Sequence, residues 1–362
     1  MSRPNINLNS NNGANNTLSL GLLNGDSGMA IIYYLLAKDT GNKDYKEKGL
    51  QLLNQISDNI NSTKDLRFAD GLAGIGWAVE WLVQNELLSD TNTDEVLEDV
   101  DDILYKSVVY SKDEYISLLD GTLGKIAYFL KRELSSNPNT HRFQRICLQE
   151  CLVILTDDLA DKITQGRLLT TIKLDHPISE PEALLRIIDL GTLVTMISGF
   201  PNINIQSVER TLYDVINYIE LGLSKAVIDL ASKAITNKER DYYHNILYLA
   251  ICYFIAGKKH NHNFWQEQAN GYIELLCNKI EEDNNNDISE YQLLKKLSLY
   301  TLLNIYMPNF QYKKELQMLN NYFQSKDLPL RLLNGWGAVV LASVSANKPD
   351  LVKDWHELFY IQ

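Results

Sequence analysis

Four short glycine segments recur along this 362-residue chain, and each opens an apolar stretch with helical spacing. They are Leu22-Leu23-Asn24-Gly25, Phe68-Ala69-Asp70-Gly71, Leu118-Leu119-Asp120-Gly121 and Leu332-Leu333-Asn334-Gly335. A second glycine follows as Gly28, Gly74 and Gly124 in the first three, and as Gly337 in the last. Self-similarity of this kind means a fold built by repetition.

Each unit has the same inner logic. Asn or Asp before glycine is suited to capping a helix, its side-chain oxygen accepting an orphan backbone N–H. Glycine allows a sharp turn or a close backbone approach. The stretches that follow, such as Gly28 to Ala37 and Gly74 to Val83, are apolar around most of a helical circumference and belong in the interior. Between them lie amphipathic stretches, Asp44 to Ile60 and Thr93 to Tyr110, that read as outer helices. Gly25 to Gly71 spans 46 residues and Gly71 to Gly121 spans 50. The 214 residues from Gly121 to Gly335 leave room for three degenerate units. These are expected to begin near Asp189-Leu190-Gly191, Tyr243-His244-Asn245 and Glu290-Tyr291-Gln292. The expectation is an all-α fold: seven helical hairpins closing into a double-layered α/α toroid, with the unit-start loops gathered at one mouth. Residues 1–17 form an Asn-rich segment too poor in apolar groups to fold, and residues 18–362 form a single domain.

Composition excludes several function classes. With 46 acidic against 34 basic side chains the net charge is −12, a poor match for nucleic acid or an anionic membrane. The four cysteines form no CxxC pair and read as reduced thiols. The opening Met-Ser-Arg-Pro-Asn runs into polar sequence rather than a secretory signal, and the longest apolar run is too short to span a bilayer. A soluble, cytoplasmic protein is expected.

The repeats resemble the lanthionine synthetase C family. Asp70-Gly71-Leu72-Ala73-Gly74-Ile75-Gly76 is very close to that family's G-x-(A/S)-G-I-(A/G) repeat, and Leu23-Asn24-Gly25-Asp26-Ser27-Gly28 is similar. The resemblance implies a toroid of seven inner and seven outer helices, and a role in the maturation of ribosomally made peptides. Members add cysteine thiolates to dehydrated Ser or Thr residues, usually beside a separate dehydratase. It also implies a zinc ion, held by two cysteines and a histidine, that lowers the pKa of the substrate thiol. Here the chain departs from the family. The Gly-Trp-Cys-x-Gly segment falls on Asp241-Tyr242-Tyr243-His244-Asn245, so that Tyr243 takes the cysteine position. The Cys-His-Gly segment falls near Tyr291-Gln292-Leu293, and the acid before the third glycine falls on Ser117. The expectation is a member without zinc or any other cofactor. It would bind a precursor peptide, and a dehydratase or transporter is a further partner, so that it acts as a scaffold or an atypical cyclase.

The substrate-binding candidates at the mouth are Asp26, Asp70, Asp120, His244, Asn334 and Trp336. For Asp70 and Asp120 helix capping is the rival role, for His244 a capping or supporting one, and for Trp336 packing. A different class stays open: a glycan-active or other hydrolytic barrel using the carboxylates of Asp26, Asp70 and Asp120. Trp77 and Trp81, four apart, read as core. Cys147, Cys151, Cys252 and Cys277 read as structural thiols, and His260 and His262 as a solvated connection. No phosphate-binding loop, nucleophile elbow or dinucleotide fingerprint is present.

Overall fold

The computed structural model describes residues 19–89, 91–135, 140–168, 174, 177–231, 235–282 and 288–360, and the Asn-rich segment of residues 1–17 lies outside them. Among the described residues there are fourteen α-helices and no β-strand. Seven of the helices are buried along most of their length: α1 (Asp26–Thr40), α3 (Leu72–Gln84), α6 (Thr122–Glu133), α8 (Pro181–Ser198), α10 (Arg240–Lys259), α12 (Glu290–Tyr306) and α14 (Trp336–Asn347). They alternate with helices that expose one face: α2 (Lys43–Asn59), α5 (Glu98–Tyr110), α7 (Arg142–Thr164), α9 (Ile205–Ala231), α11 (Asn263–Glu282) and α13 (Phe310–Phe323). A single turn, α4 (Thr93–Val96), precedes α5. After α14 the partner is shorter than a hairpin requires, being two 3-10 turns, Pro349–Leu351 and Trp355–Phe359.

Glycine loops start four of the buried helices, and they share one backbone geometry. In each, the first helical N–H is bound by the carbonyl seven residues earlier: Asp26 N to Ser19 O at 2.9 Å, Leu72 N to Asp65 O at 2.8 Å, Thr122 N to Tyr115 O at 3.1 Å, and Trp336 N to Pro329 O at 3.0 Å. The loop therefore folds back over the helix end and satisfies orphan donors with main chain. The glycines supply space for that approach. A Cβ at Gly74 would lie 1.9 Å from Phe68 O, and one at Gly335 would lie 2.0 Å from Pro329 O.

This corrects the capping expectation. The N-caps of α1, α3 and α14 are Gly25, Gly71 and Gly335, and none of these helices has a side-chain cap bond, so neither Asp70 nor Asn334 caps. In α6 the same work is done by the carbonyls of Tyr115 and Ile116, not by Asp120. Asparagine caps are found instead on amphipathic helices: Asn42 on α2, Asn92 on α4 and Asn309 on α13. The start of the fourth buried helix also moves. Asp189-Leu190-Gly191 lies inside α8, which begins at Pro181 behind Glu180. Proline is well placed at a first helical position, where no N–H is needed. The apolar pattern marked the buried half, Ile187 to Ser198, rather than the helix end.

The chain divides into two compact units. The first holds Met1–Ser107, Lys131–Gln144 and Leu293–Gln362, and the second Val108–Leu130 and Arg145–Gln292. In the first, α1 packs against α3 and against α14. The loops there are stitched in series: Leu22 and Leu23 N–H donate to Ala69 O, and Leu332 N–H donates to Leu23 O. Trp77 and Trp81 stack in its core, as their spacing predicts. The fully buried Arg132 guanidinium meets Glu80 at 2.8 Å, Asp101 at 2.7 Å and Asp94 at 3.1 Å. Burying one charge is tolerable only with such compensation. In the second unit α10 packs against α8 and α11.

Candidate functional site

The proposed mouth residues occupy loop ends or first turns. In the first unit Asp26 opens α1 half-buried; burial pushes its carboxyl above the usual range, and Oδ2 is buried without a hydrogen bond. Asp70 sits half-buried beside Gly21, where a Cβ would come within 2.7 Å of Asp70 Oδ1, an oxygen also buried without a partner. Asn334 is exposed, while Trp336 begins α14 and is 9% exposed. In the second unit Asp120 is exposed, and His244 is buried in the first turns of α10.

The positions matching the family's metal-binding segments do not fit zinc. Tyr243 is buried, and its hydroxyl donates to Asp229 Oδ2 at 3.2 Å. Gln292 donates through Nε2 to Asp241 Oδ1 at 3.2 Å and accepts from Ser289 N–H. Ser117 Oγ accepts from Leu119 N–H at 3.1 Å. A phenol thus stands at a cysteine position and an amide at the histidine position, while the hydroxyl of Ser117 stands where the family has an acid. Cys252 lies farther along α10, fully buried, and burial raises its thiol well above the ordinary range. Among the described residues no group of three or more His, Cys, Asp and Glu side chains is placed to hold a metal. Cys151, Cys252 and Cys277 are buried and Cys147 is half-buried, the structural placement expected of them. His260 and His262 are exposed, with His262 stacked on Trp265 at 4.1 Å.

Two pockets lie within the second unit. One, of about 500 Å³, is lined by Tyr110, Lys112, Asp113, Asp157, Asp158 and Asp161. Its acids are largely engaged: Asp158 by Lys162 at 2.6 Å, Asp113 by Lys125 at 2.8 Å, and Asp157 by Asn204 and Ser207. The other, of about 430 Å³, lies at the glycine loop before α6 and includes Ser117, Asp120, Arg167, Glu182, Arg186 and Asp189. Asp189 Oδ1 accepts the Leu118 N–H at 2.9 Å across 71 residues of sequence. Burial, reinforced by Asp120, raises its carboxyl to about 7 against the Leu118 hydrogen bond and Arg186, which both favour the charge.

The sequence pattern marks Asp189 only as a unit boundary. A signal was available: Ile187-Ile188-Asp189-Leu190-Gly191 is a lone carboxylate in an apolar helical run. Such a group is buried at a cost unless something uses or satisfies it. Arg167, Arg186 and Glu182 gave no comparable signal, since charges on connections and helix starts are usually solvated.

Comparisons with known proteins bear on this architecture. Residues 16–100 match the model of the lanthionine synthetase C-like protein family. No curated protein sequence matches the chain. Among solved structures the chain is similar to nisin cyclase, with a TM-score of 0.62 at 11% identity, covering 96% of this chain and 93% of that one. That likeness is one of fold, the α/α toroid of paired helices. Two glycine units thus match the lanthionine synthetase C-like family's model, within a chain whose fold is similar to that of nisin cyclase.

Proposed function

We propose that this chain serves the maturation of a ribosomally made peptide without zinc, by binding the precursor peptide or the dehydratase that modifies it. It acts as a scaffold or as an atypical cyclase. The observation that carries the reading is a contrast within one fold. The backbone-closed glycine loops are kept in four copies, while the metal-binding positions hold Tyr243, Gln292 and their neighbours. A framework kept so closely, with its metal donors replaced, suits recognition and positioning. Positioning alone lowers a barrier by several kcal/mol when reacting groups are held together. The peptide contacts are assigned to Asp26, Asp70, Asp120, His244, Asn334 and Trp336. A fluorescent peptide bearing cysteine and dehydrated Ser or Thr residues tests this by anisotropy, with metal content measured on the same protein. Saturable binding with zinc far below one equivalent is the expected result. Stoichiometric zinc together with thiol-dependent cyclisation overturns the zinc-free reading, and absence of binding overturns the peptide role.

A further inference from the structure

We propose that Asp189 is a catalytic acid–base residue of the pocket before α6, moving the thiol proton of a bound peptide to carbon as a thioether forms. The inference rests on the peptide-maturation reading and adds to it a named proton carrier.

In two of the glycine units the N–H three residues before the first glycine is bound by a loop carbonyl of another unit. Leu22 N–H takes Ala69 O at 3.1 Å, and Leu332 N–H takes Leu23 O at 3.4 Å. Leu118 holds the same position before Gly121, yet its acceptor is the side chain of Asp189, from the interior of α8. The fourth unit has no glycine loop of its own, and a carboxylate stands in for the missing carbonyl. That structural duty needs only an oxygen acceptor, which an amide supplies as well. An ionisable group there brings a desolvation cost that an amide avoids.

The carboxyl also lines a cavity, which a purely structural acceptor does not require. Leu118 N–H binds Oδ1, and Asp189 is among the residues lining the pocket of about 430 Å³, large enough for a few peptide residues. Charges around the pocket are mixed: Glu114, Asp120 and Glu182 against Arg167 and Arg186. From α10 the groups facing α8 are Asn245, whose amide binds Leu184 O, Tyr248, whose hydroxyl meets Thr192, Cys252 beside Gly191, and Lys259, which donates to Thr195 O near the far end of α8. The arginines suit peptide carbonyls or a terminal carboxylate. A carboxyl held near 7 has both protonation states available at neutral pH, as proton transfer in both directions demands.

The step balances without another reactant. Asp189 carboxylate takes the proton of a cysteine thiol as its sulfur attacks the β-carbon of a dehydroalanine. A C–S bond forms, and the C=C π pair moves to the α-carbon. The protonated Asp189 then delivers its proton to that carbon, restoring the carboxylate.

The test uses the full chain and a synthetic peptide carrying one cysteine and one dehydroalanine. Ring closure is followed in D2O by mass spectrometry, and binding by anisotropy. The wild type is expected to accelerate closure with a pH limb near 7 and deuterium at the α-carbon. Asp189→Asn keeps the Leu118 contact, so folding and binding should survive while the rate falls about 100-fold or more and the limb disappears. Asp189→Ala loses the contact as well and should fall in both rate and stability. An Asp189→Asn variant with unchanged rate and pH profile overturns the assignment. A wild type that binds the peptide without accelerating closure also overturns it and leaves the peptide-binding reading intact. A wild type that does not bind overturns that reading itself.

Discussion

The starts of α6 and α8 show two ways of beginning a buried helix in one chain. Before α6 the loop folds back so that main-chain carbonyls of Tyr115 and Ile116 meet the first N–H groups, and Gly121 leaves room for them. Before α8 there is no such loop. Pro181 removes one donor, and the connection to the neighbouring unit passes through the Asp189 side chain. Where glycine is kept, contacts are made by backbone and carry no chemistry of their own. Where it is lost, polar side chains replace them, as Asn245 on Leu184 O and Gln292 on Asp241 also do. In the degenerate fourth unit an ionisable side chain thus stands where a loop carbonyl would otherwise accept.

The contrast can be broken first at the glycines. Gly74→Ala and Gly335→Ala force a Cβ to about 2 Å from a backbone carbonyl. Each is expected to cost about 3 kcal/mol or more, read as a lower urea midpoint. A loss below 1 kcal/mol would show that the loops yield and that the backbone closure is slack.

The next effect sharpens the other side. The folded carboxyl of Asp189 titrates near 7 rather than 3.8, so the folded state holds its proton more tightly. That binding stabilises the fold below about pH 4 and is lost as pH rises through 7. Asp189→Asn removes the cost of the buried anion. It should come close to wild type near pH 4 and exceed it by about 4 kcal/mol at pH 8. Equal stability at both pH values would mean an ordinary carboxylate.

Smaller changes follow. Asn245→Ala deletes a buried amide bond to Leu184 O at 2.9 Å and should lower stability by about 1 kcal/mol in the same titration. Gly271 in α11 lies outside any loop, with open space where a Cβ would go. Gly271→Ala is expected to stabilise by up to about 1 kcal/mol, the helix propensity difference. A destabilised Gly271→Ala beside a tolerated Gly74→Ala would reverse the comparison.

Much of the fold was legible from local pattern. Glycine spacing located the starts of α1, α3, α6 and α14, and apolar periodicity located α10 and α12, because space and amphipathicity are properties of neighbouring residues. The same reading misplaced the start of α8, whose first turns carry the exposed Leu185 and the charges of Glu182 and Arg186. It also assigned capping to Asp70 and Asp120, since Asp before Gly is compatible with a side-chain cap. The carbonyls that take the role lie several residues upstream and carry no sequence identity.

Sequence alone settled the repetition and the all-helical class, since each is written in residue types at short range. The packing of α8 decided which carboxylate meets Leu118, how deeply it is buried and which pocket it faces. Hydrogen-bond partners 71 residues apart and the desolvation of a side chain exist only once helices are brought together, so no local pattern encodes them.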